Sequence, residues 1–198
     1  MNIKSLGEIL IEVSARHIHP FQKDLDKLFG EGYKLTKLKE LSQPGLFAAK
    51  ETVAIQYKDK IISGVRIVGP CRNQTQVELS LTDAFSLGME IPIRESGDLD
   101  NTPGVTLIGP KGKIDLDKGV IASWRHIHVS DKQAEQLGVK DRDLACVQIQ
   151  GHRALIFKKV LVRVAPNFSL AMHIDVDEGN AAGIIKNAEG IILKEINK

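Results

Sequence analysis

The chain carries six histidines, His17, His19, His126, His128, His152 and His173, and four of them fall in two His-Ile-His triplets. On a β-strand, residues i and i+2 share a face, so both imidazoles of a triplet can meet one ion. On a helix they would diverge by about 200°. The intervening isoleucine then points into a core. Imidazole favours zinc, copper, nickel or iron, and zinc is the default where no redox partner is visible. Each pair supplies two ligands, whereas a catalytic zinc takes three and keeps a fourth position open. A third donor must come from elsewhere in the chain. His173, in Met172-His173-Ile174-Asp175, is one candidate; the alternative is a capping or buried histidine. Glu78, in Gln76-Val77-Glu78-Leu79-Ser80, is the other; the alternative is a solvated outer strand face. His152 sits in a polar turn and reads as a surface residue.

The segment Gly69-Pro70-Cys71-Arg72-Asn73-Gln74-Thr75-Gln76 is polar, opens on a Gly-Pro break and leads into the Glu78 strand. A guanidinium matches phosphate oxygens bidentately, which makes Arg72 a candidate phosphate ligand; the plainer reading is a loop arginine in solvent. A second turn, Gly109-Pro110-Lys111-Gly112, lacks the Gly-Lys-Ser/Thr ending of a phosphate-binding P-loop. Cys71 has no base partner that the sequence can show and reads as incidental.

The elements that must position these groups are mostly strands. Short β-type runs occur at Ile9–Val13, Thr52–Tyr57, Ile61–Val68, Val105–Ile108, Leu144–Ile149, Ala154–Phe157 and Val160–Val164. Lys58-Asp59-Lys60 and Gly151-His152 read as turns. Four short helices are expected. Pro20–Phe29 stops at Gly30, and Thr82–Leu87 stops at Gly88. Asp131–Leu137 follows a Ser130 cap with Gln133 as a capping box and stops at Gly138; Asp175–Ala182 is capped by Asp175 with Glu178 completing the box. The stretch Ser14-Ala15-Arg16-His17-Ile18-His19 recurs as Ser123-Trp124-Arg125-His126-Ile127-His128, offset by 109 residues. Each copy follows a β-like run and precedes a helix closed by glycine. A duplicated unit of this kind predicts two similar halves related by a pseudo-twofold axis.

Composition bounds the function. The 198 residues are 42% hydrophobic and 26% charged, with 27 basic against 25 acidic side chains, a net charge of +2. That is globular composition and excludes disorder as the dominant state. Balanced charge and 5% aromatics argue against a nucleic-acid binder. Two cysteines, Cys71 and Cys146, make no disulfide framework. Met1 to Glu12 is interrupted by Glu8 and Glu12, so no signal peptide is read, and no run approaches the roughly 18 apolar residues of a membrane helix. A soluble, intracellular protein with no membrane partner is expected.

Taken in order, several motifs resemble the phosphate propanoyltransferase family, the PduL-type phosphotransacylases of bacterial microcompartments. They are Val13-Ser14-Ala15-Arg16-His17-Ile18-His19, Leu41-Ser42-Gln43-Pro44-Gly45 with Phe47-Ala48-Ala49, and Gly69-Pro70-x-Arg72-x-x-Thr75-Gln76-Val77-Glu78. Gly97-Asp98-Leu99-Asp100-x-Thr102-Pro103-Gly104-Val105, Arg125-His126-Ile127-His128 and Met172-His173-Ile174-Asp175-x-Asp177-Glu178 follow. The resemblance runs from Val13 to about Gly183. It implies a mainly β fold with short helices, built as two interleaved small β-barrels. Residues 1–15 with 124–198 would form one barrel and residues 16–123 the other. It further implies a two-zinc site, with His17, His19 and Glu78 on one zinc and His126, His128 and His173 on the other. Arg72 matches the family's phosphate-contacting, catalytic arginine. Ser14, Ala15, Arg16, Arg66 and Asn180 fall where the family meets coenzyme A.

The expected partners are coenzyme A, acyl-CoA and inorganic phosphate, and a homo-oligomer stays open. The expected reaction is acyl-CoA plus phosphate to acyl phosphate plus CoA, with propanoyl- or acetyl-CoA as donor. A two-metal hydrolase of a thioester, ester or amide is the alternative, and a non-catalytic metal-binding module is a third reading. The family often carries an amphipathic N-terminal extension that directs it to a microcompartment. Only twelve residues precede Val13 here, so a cytoplasmic location is expected over the microcompartment lumen.

Overall fold

A computed structural model describes residues 2–196. In chain order the first strands are β1 (Asn2–Ser14), β2 (His17–His19), β3 (Lys37–Glu40), β4 (Phe47–Tyr57), β5 (Lys60–Gly69), β6 (Gln76–Glu78), β7 (Ile93–Arg94) and β8 (Thr106–Ile108). They continue as β9 (Lys113–Asp115), β10 (Val120–Ser123), β11 (His126–Val129), β12 (Leu144–Ile149), β13 (Leu155–Val164), β14 (Ala171–Asp175) and β15 (Asn187–Ile196). Four short helices, α1 (Gln22–Phe29), α2 (Leu81–Leu87), α3 (Asp131–Leu137) and α4 (Val176–Ala182), complete the mainly β inventory. The chain divides into two compact units, Met1–Ser14 with Trp124–Lys198, and Ala15–Ser123.

The first unit is a closed barrel in the order β1-β14-β11-β13-β12-β15. Alternation builds it: Ile9 and Ile11 of β1, Val147 and Ile149 of β12, and Met172 and Ile174 of β14 all turn into one core. The second unit is a nine-stranded sheet in the order β7-β10-β6-β2-β5-β4-β8-β9, with β3 on β4. Strands from β10 (Val120) through β6 (Val77) to β8 (Leu107) and β9 (Ile114) share one core cluster, so this sheet also encloses its own interior.

The repeat seen in the triplets is a repeat of topology. In the barrel, β1 runs parallel to β14, β14 antiparallel to β11, and β11 parallel to β13; β13–β12 and β12–β15 are antiparallel. In the sheet, β10 is parallel to β6, β6 antiparallel to β2, and β2 parallel to β5; β5–β4 and β4–β8 are antiparallel. The five relations recur in the same order. The leading strands are exchanged: β1 precedes the first triplet yet joins the barrel that holds the second, while β10 precedes the second triplet and joins the sheet that holds the first. The units differ at the far edge, where β15 returns to β1 and closes the barrel while β8 carries β9.

Three local expectations are corrected. The runs Ala154–Phe157 and Val160–Val164 are one strand, β13. Lys158 and Lys159 both oppose Cys146 in the ladder, and Lys159 has φ 54, so a bulge breaks the alternation without breaking the pairing. Helix α1 starts at Gln22 rather than Pro20, with Phe21 as an extended N-cap lacking a side-chain bond. At α3, Ser130 Oγ accepts from the Gln133 amide N–H at 3.3 Å and donates to Gln133 Oε1 at 2.8 Å, so the glutamine does not reach back as a box. Helix α4 does carry the full Asp175–Glu178 box. Among the described residues no helix is long and apolar enough to cross a membrane.

The central isoleucine of each triplet is interior, Ile18 at 1% and Ile127 at 2% exposure. Ile127→Ala should therefore lower stability by about 2–5 kcal/mol in urea unfolding, as for a large-to-small core change. A loss below half a kcal/mol would place Ile127 outside the core.

Candidate metal centre

Burying Ile18 and Val77 in the sheet's core turns His17, His19 and Glu78 to its outer face. The antiparallel β2–β6 register sets His17 directly opposite Glu78. His17 Nε2 and His19 Nε2 lie 3.2 Å apart. Glu78 Oε2 is 3.7 Å from His17 Nε2, and Oε1 is 3.6 Å from His19 Nε2. One donor atom from each residue fits within a 4.8 Å cluster. Two nitrogens bound tetrahedrally to zinc at 2.0–2.1 Å would stand about 3.3 Å apart, so the spacing fits such an ion.

The tautomers agree. His17 Nδ1 donates to the Ala15 carbonyl at 2.9 Å, which leaves its Nε2 lone pair facing the cluster. His19 is held well below the usual histidine range, first by burial and then by the neighbouring His17; Arg72 adds to this, while Glu78 and the Val68 backbone oppose it. It stays neutral at pH 7, the state in which imidazole ligates.

A polar network holds Glu78 and reaches Arg72. Gln76 Nε2 donates to Glu78 Oε1 at 2.6 Å and to Ser96 Oγ at 2.8 Å. Ser96 Oγ donates to Glu78 Oε1 at 3.3 Å and accepts from Arg72 Nη1 at 3.1 Å. The Gly97 amide N–H donates to Gln76 Oε1 at 2.8 Å. The Arg72 backbone N–H donates to the Pro20 carbonyl at 2.8 Å, tying the arginine's loop to the end of the first triplet. Arg72, Asn73, Gln74, Gln76 and Gly97 line a hollow of about 330 Å³.

The barrel repeats the register with a different third residue, while among the described residues the trio that brings one donor atom each within 4.8 Å is that of the sheet, His17, His19 and Glu78. The β11–β14 register sets His126 opposite His173, as His17 is set opposite Glu78. Ring centroids lie 4.6 Å apart for His126–His128, 5.3 Å for His126–His173 and 4.9 Å for His128–His173. His126 Nδ1 donates to the Trp124 carbonyl at 2.8 Å, the same two-residue reach as His17. Burial, with His126, His173 and Arg163 adding to it, pushes His128 down to about 2. His19 Nδ1 and His128 Nδ1, at matching positions, are both buried without a hydrogen-bond partner of normal geometry.

The remaining candidates fall in varied settings. Ser14 ends β1 beside Asp175. Arg16 pairs with Asp83 at 2.6 Å. Arg66 stands beside His17 in the parallel β2–β5 ladder, and its Nη1 donates to the Ala49 and Lys50 carbonyls at 3.1 and 2.8 Å. Asn180 is exposed on α4, and its carbonyl accepts from Arg153. Ser14 and Asn180 belong to the barrel unit, while Ala15, Arg16 and Arg66 belong to the sheet unit. His152 is exposed in its turn, and burial pushes the Cys71 thiol up, toward the unreactive form. Sequence reading missed Gln76 and Ser96, the supports of Glu78, and the orienting Ala15 and Trp124 carbonyls. It also missed Glu12, whose Oε2 is 3.7 Å from His173 Nδ1. The one available signal was Glu12's interruption of the apolar Ile-Leu-Ile-Glu-Val run.

Fold and site together define a duplicated β protein with a histidine–carboxylate cluster suited to a metal ion. A family model described as phosphate propanoyltransferase matches residues 10–185. A phosphate propanoyltransferase of Thermotoga maritima is 54% identical over 175 residues, 88% of this chain and 83% of its own length. One of Clostridioides difficile is 46% identical over 193 residues, covering 98% and 92%. One of Sebaldella termitidis is 48% identical over 189 residues, covering 95% and 89%. The chain belongs to the phosphate propanoyltransferase family and is thus an acyltransferase.

The depressed His128 yields a pH dependence. In the unfolded chain this imidazole takes up a proton below about 6.5, whereas in the fold it stays neutral down to about 2. Its contribution is intact above 6.5 and is lost as pH falls below it. Metal-free protein should lose about 2 kcal/mol of stability between pH 7 and pH 5 from this group alone. Denaturant titrations at the two pH values, on wild type and His128→Phe, check this; equal slopes for both would refute it.

Proposed function

We propose that the protein interconverts acyl-CoA plus phosphate with acyl phosphate plus CoA, taking propanoyl- or acetyl-CoA, at two zinc ions. The observation that carries the reading is the convergence of His17, His19 and Glu78, with His126, His128 and His173 at the matching register. The relatives' shared name supports the substrate class.

Zinc, when bound, supplies Lewis acidity toward a thioester carbonyl and a departing thiolate. The chain's own groups do the rest. Arg72 offers a planar fork to two phosphate oxygens, offsets their charge and turns a third toward the carbonyl carbon. An oxygen–carbon bond forms, the carbon–sulfur bond breaks, and the electron pair leaves with the CoA sulfur. A CoA thiol titrates near 8.5, like cysteine, so its thiolate is a competent leaving group near neutral pH. The Ser96 hydroxyl and Gln76 amide tie Arg72 to Glu78, coupling the phosphate ligand's position to the ion's. Ser14, Ala15, Arg16, Arg66 and Asn180 are proposed as coenzyme A contacts, by resemblance to the family.

The rival is a two-metal hydrolase, which releases CoA from acyl-CoA without phosphate. Purified protein with propanoyl-CoA should release CoA only when phosphate is present, and a chelator should abolish the release. Phosphate-independent release would transfer the reading to the hydrolase. His128→Ala should be inactive, while exposed His152→Ala should keep nearly full activity; equal losses would refute the ligand assignment.

Arg72→Ala should lose about 2–4 kcal/mol of transition-state stabilisation, comparable to removing one preorganised donor. Arg72→Lys keeps the charge but not the fork and should remain impaired. The measurement is kcat/KM for phosphate alongside metal content, which should not change. A near wild-type value would return Arg72 to the role of a surface arginine.

A further inference from the structure

We propose that Glu12 is a positioning residue for the barrel triad: its carboxylate accepts the Nδ1–H of His173 and holds that ring with Nε2 toward the bound ion. The inference rests on the two-ion reading above. Ile9 and Ile11 face the barrel core, so Glu12 shares the outer face with His173, whose neighbours Met172 and Ile174 also face inward. The parallel β1–β14 register sets Glu12 directly beside His173. Glu12 Oε2 lies 3.7 Å from His173 Nδ1, with side-chain exposures of 22% and 14%. That is beyond hydrogen-bond length, and a shift of about 1 Å brings it to the length of a charge-assisted hydrogen bond from a neutral imidazole N–H.

Comparison of the two units supports the role. His17 and His126 already have Nδ1 anchored on a backbone carbonyl two residues upstream. His173 stands where the sheet unit has Glu78, and its Nδ1 faces a carboxylate instead. The residue matching Glu12 beside Glu78 is Ile121, fully buried. A carboxylate ligand has no ring N–H to anchor, so an apolar neighbour serves there. Where the third ligand is an imidazole, the acid stands behind it, fixing its tautomer and raising its basicity. The first element of the chain thereby supports a triad more than a hundred residues downstream.

The test uses Co(II) titration of metal-free full-length protein carrying His17→Ala, which leaves the barrel triad as the remaining centre. Affinity is read by absorbance in competition with a chelator of known strength. Glu12→Ala in this background should weaken Co(II) binding by 10–100-fold. Glu12→Gln, whose amide oxygen still accepts the N–H, should recover part of the loss. Unchanged affinity in Glu12→Ala, or equal losses in both variants, overturns the proposal while leaving the two-ion reading standing. No Co(II) binding in His17→Ala alone overturns both. Should Glu12→Ala fail to fold, as judged by circular dichroism, Glu12→Gln against its parent carries the test: an intermediate loss with a shifted Co(II) spectrum supports the role, and an unchanged titration overturns it.

Discussion

Everything at the site follows from one antiparallel register. A His-x-His strand presents two imidazoles on one face, and the residue opposite its first histidine shares that face. In the sheet that residue is Glu78 and in the barrel His173. A slip of one residue would turn Val77 or Met172 outward and send the third donor into the core, so the apolar alternation that builds each core also locks each triad. Stability and ligand placement are thus specified by the same residues. The exchange of β1 and β10 adds a further constraint, because neither unit is complete without a strand from the other half of the chain.

The electrostatics follow from the packing. His19 and His128 are held neutral by burial, which costs stability below the ordinary histidine range but keeps their lone pairs available. Arg72 sits near enough to His19 to reinforce that neutrality while its guanidinium bonds Ser96. The guanidinium offsets the Glu78 charge, and on the two-ion reading a dication held beside it would favour an anion. The network through Gln76 and Ser96 keeps Glu78 from wandering in response.

The histidine pairs were legible because period-two spacing is local, and so were the caps at Ser130 and Asp175, which act within four residues. Glu78 and His173 could be named as third donors but not assigned from spacing, since register between distant strands leaves no local mark. The resemblance assigned them, and the ladder places each beside its own pair. Ser96 was invisible for the same reason: it lies 18 residues from Glu78 and reaches it through a loop. The Lys158–Lys159 bulge hid the continuity of β13 because two residues on one strand facing one on the other break alternation without ending the ladder. Repetition of the Ser-x-Arg-His-Ile-His stretch announced the duplication, whereas the exchange of leading strands became visible only with the pairing itself.

The duplication is unequal where it matters chemically. On the two-ion reading, Glu78 cancels one charge of a bound dication, whereas three neutral imidazoles cancel none. The barrel ion would then be the stronger electrophile and the sheet ion the milder one. Charged neighbours modify this in opposite senses: Arg72 stands near the triad that holds its own carboxylate, while Glu12 stands beside His173 in the triad that lacks one. On that reading each centre would gather one carboxylate, as ligand in one and as outer neighbour in the other. A carboxylate held outside the ligand set would temper the field without itself serving as a ligand. Two copies of one frame thus differ in where a single acid stands, opposite the first histidine in the sheet and one strand further out in the barrel.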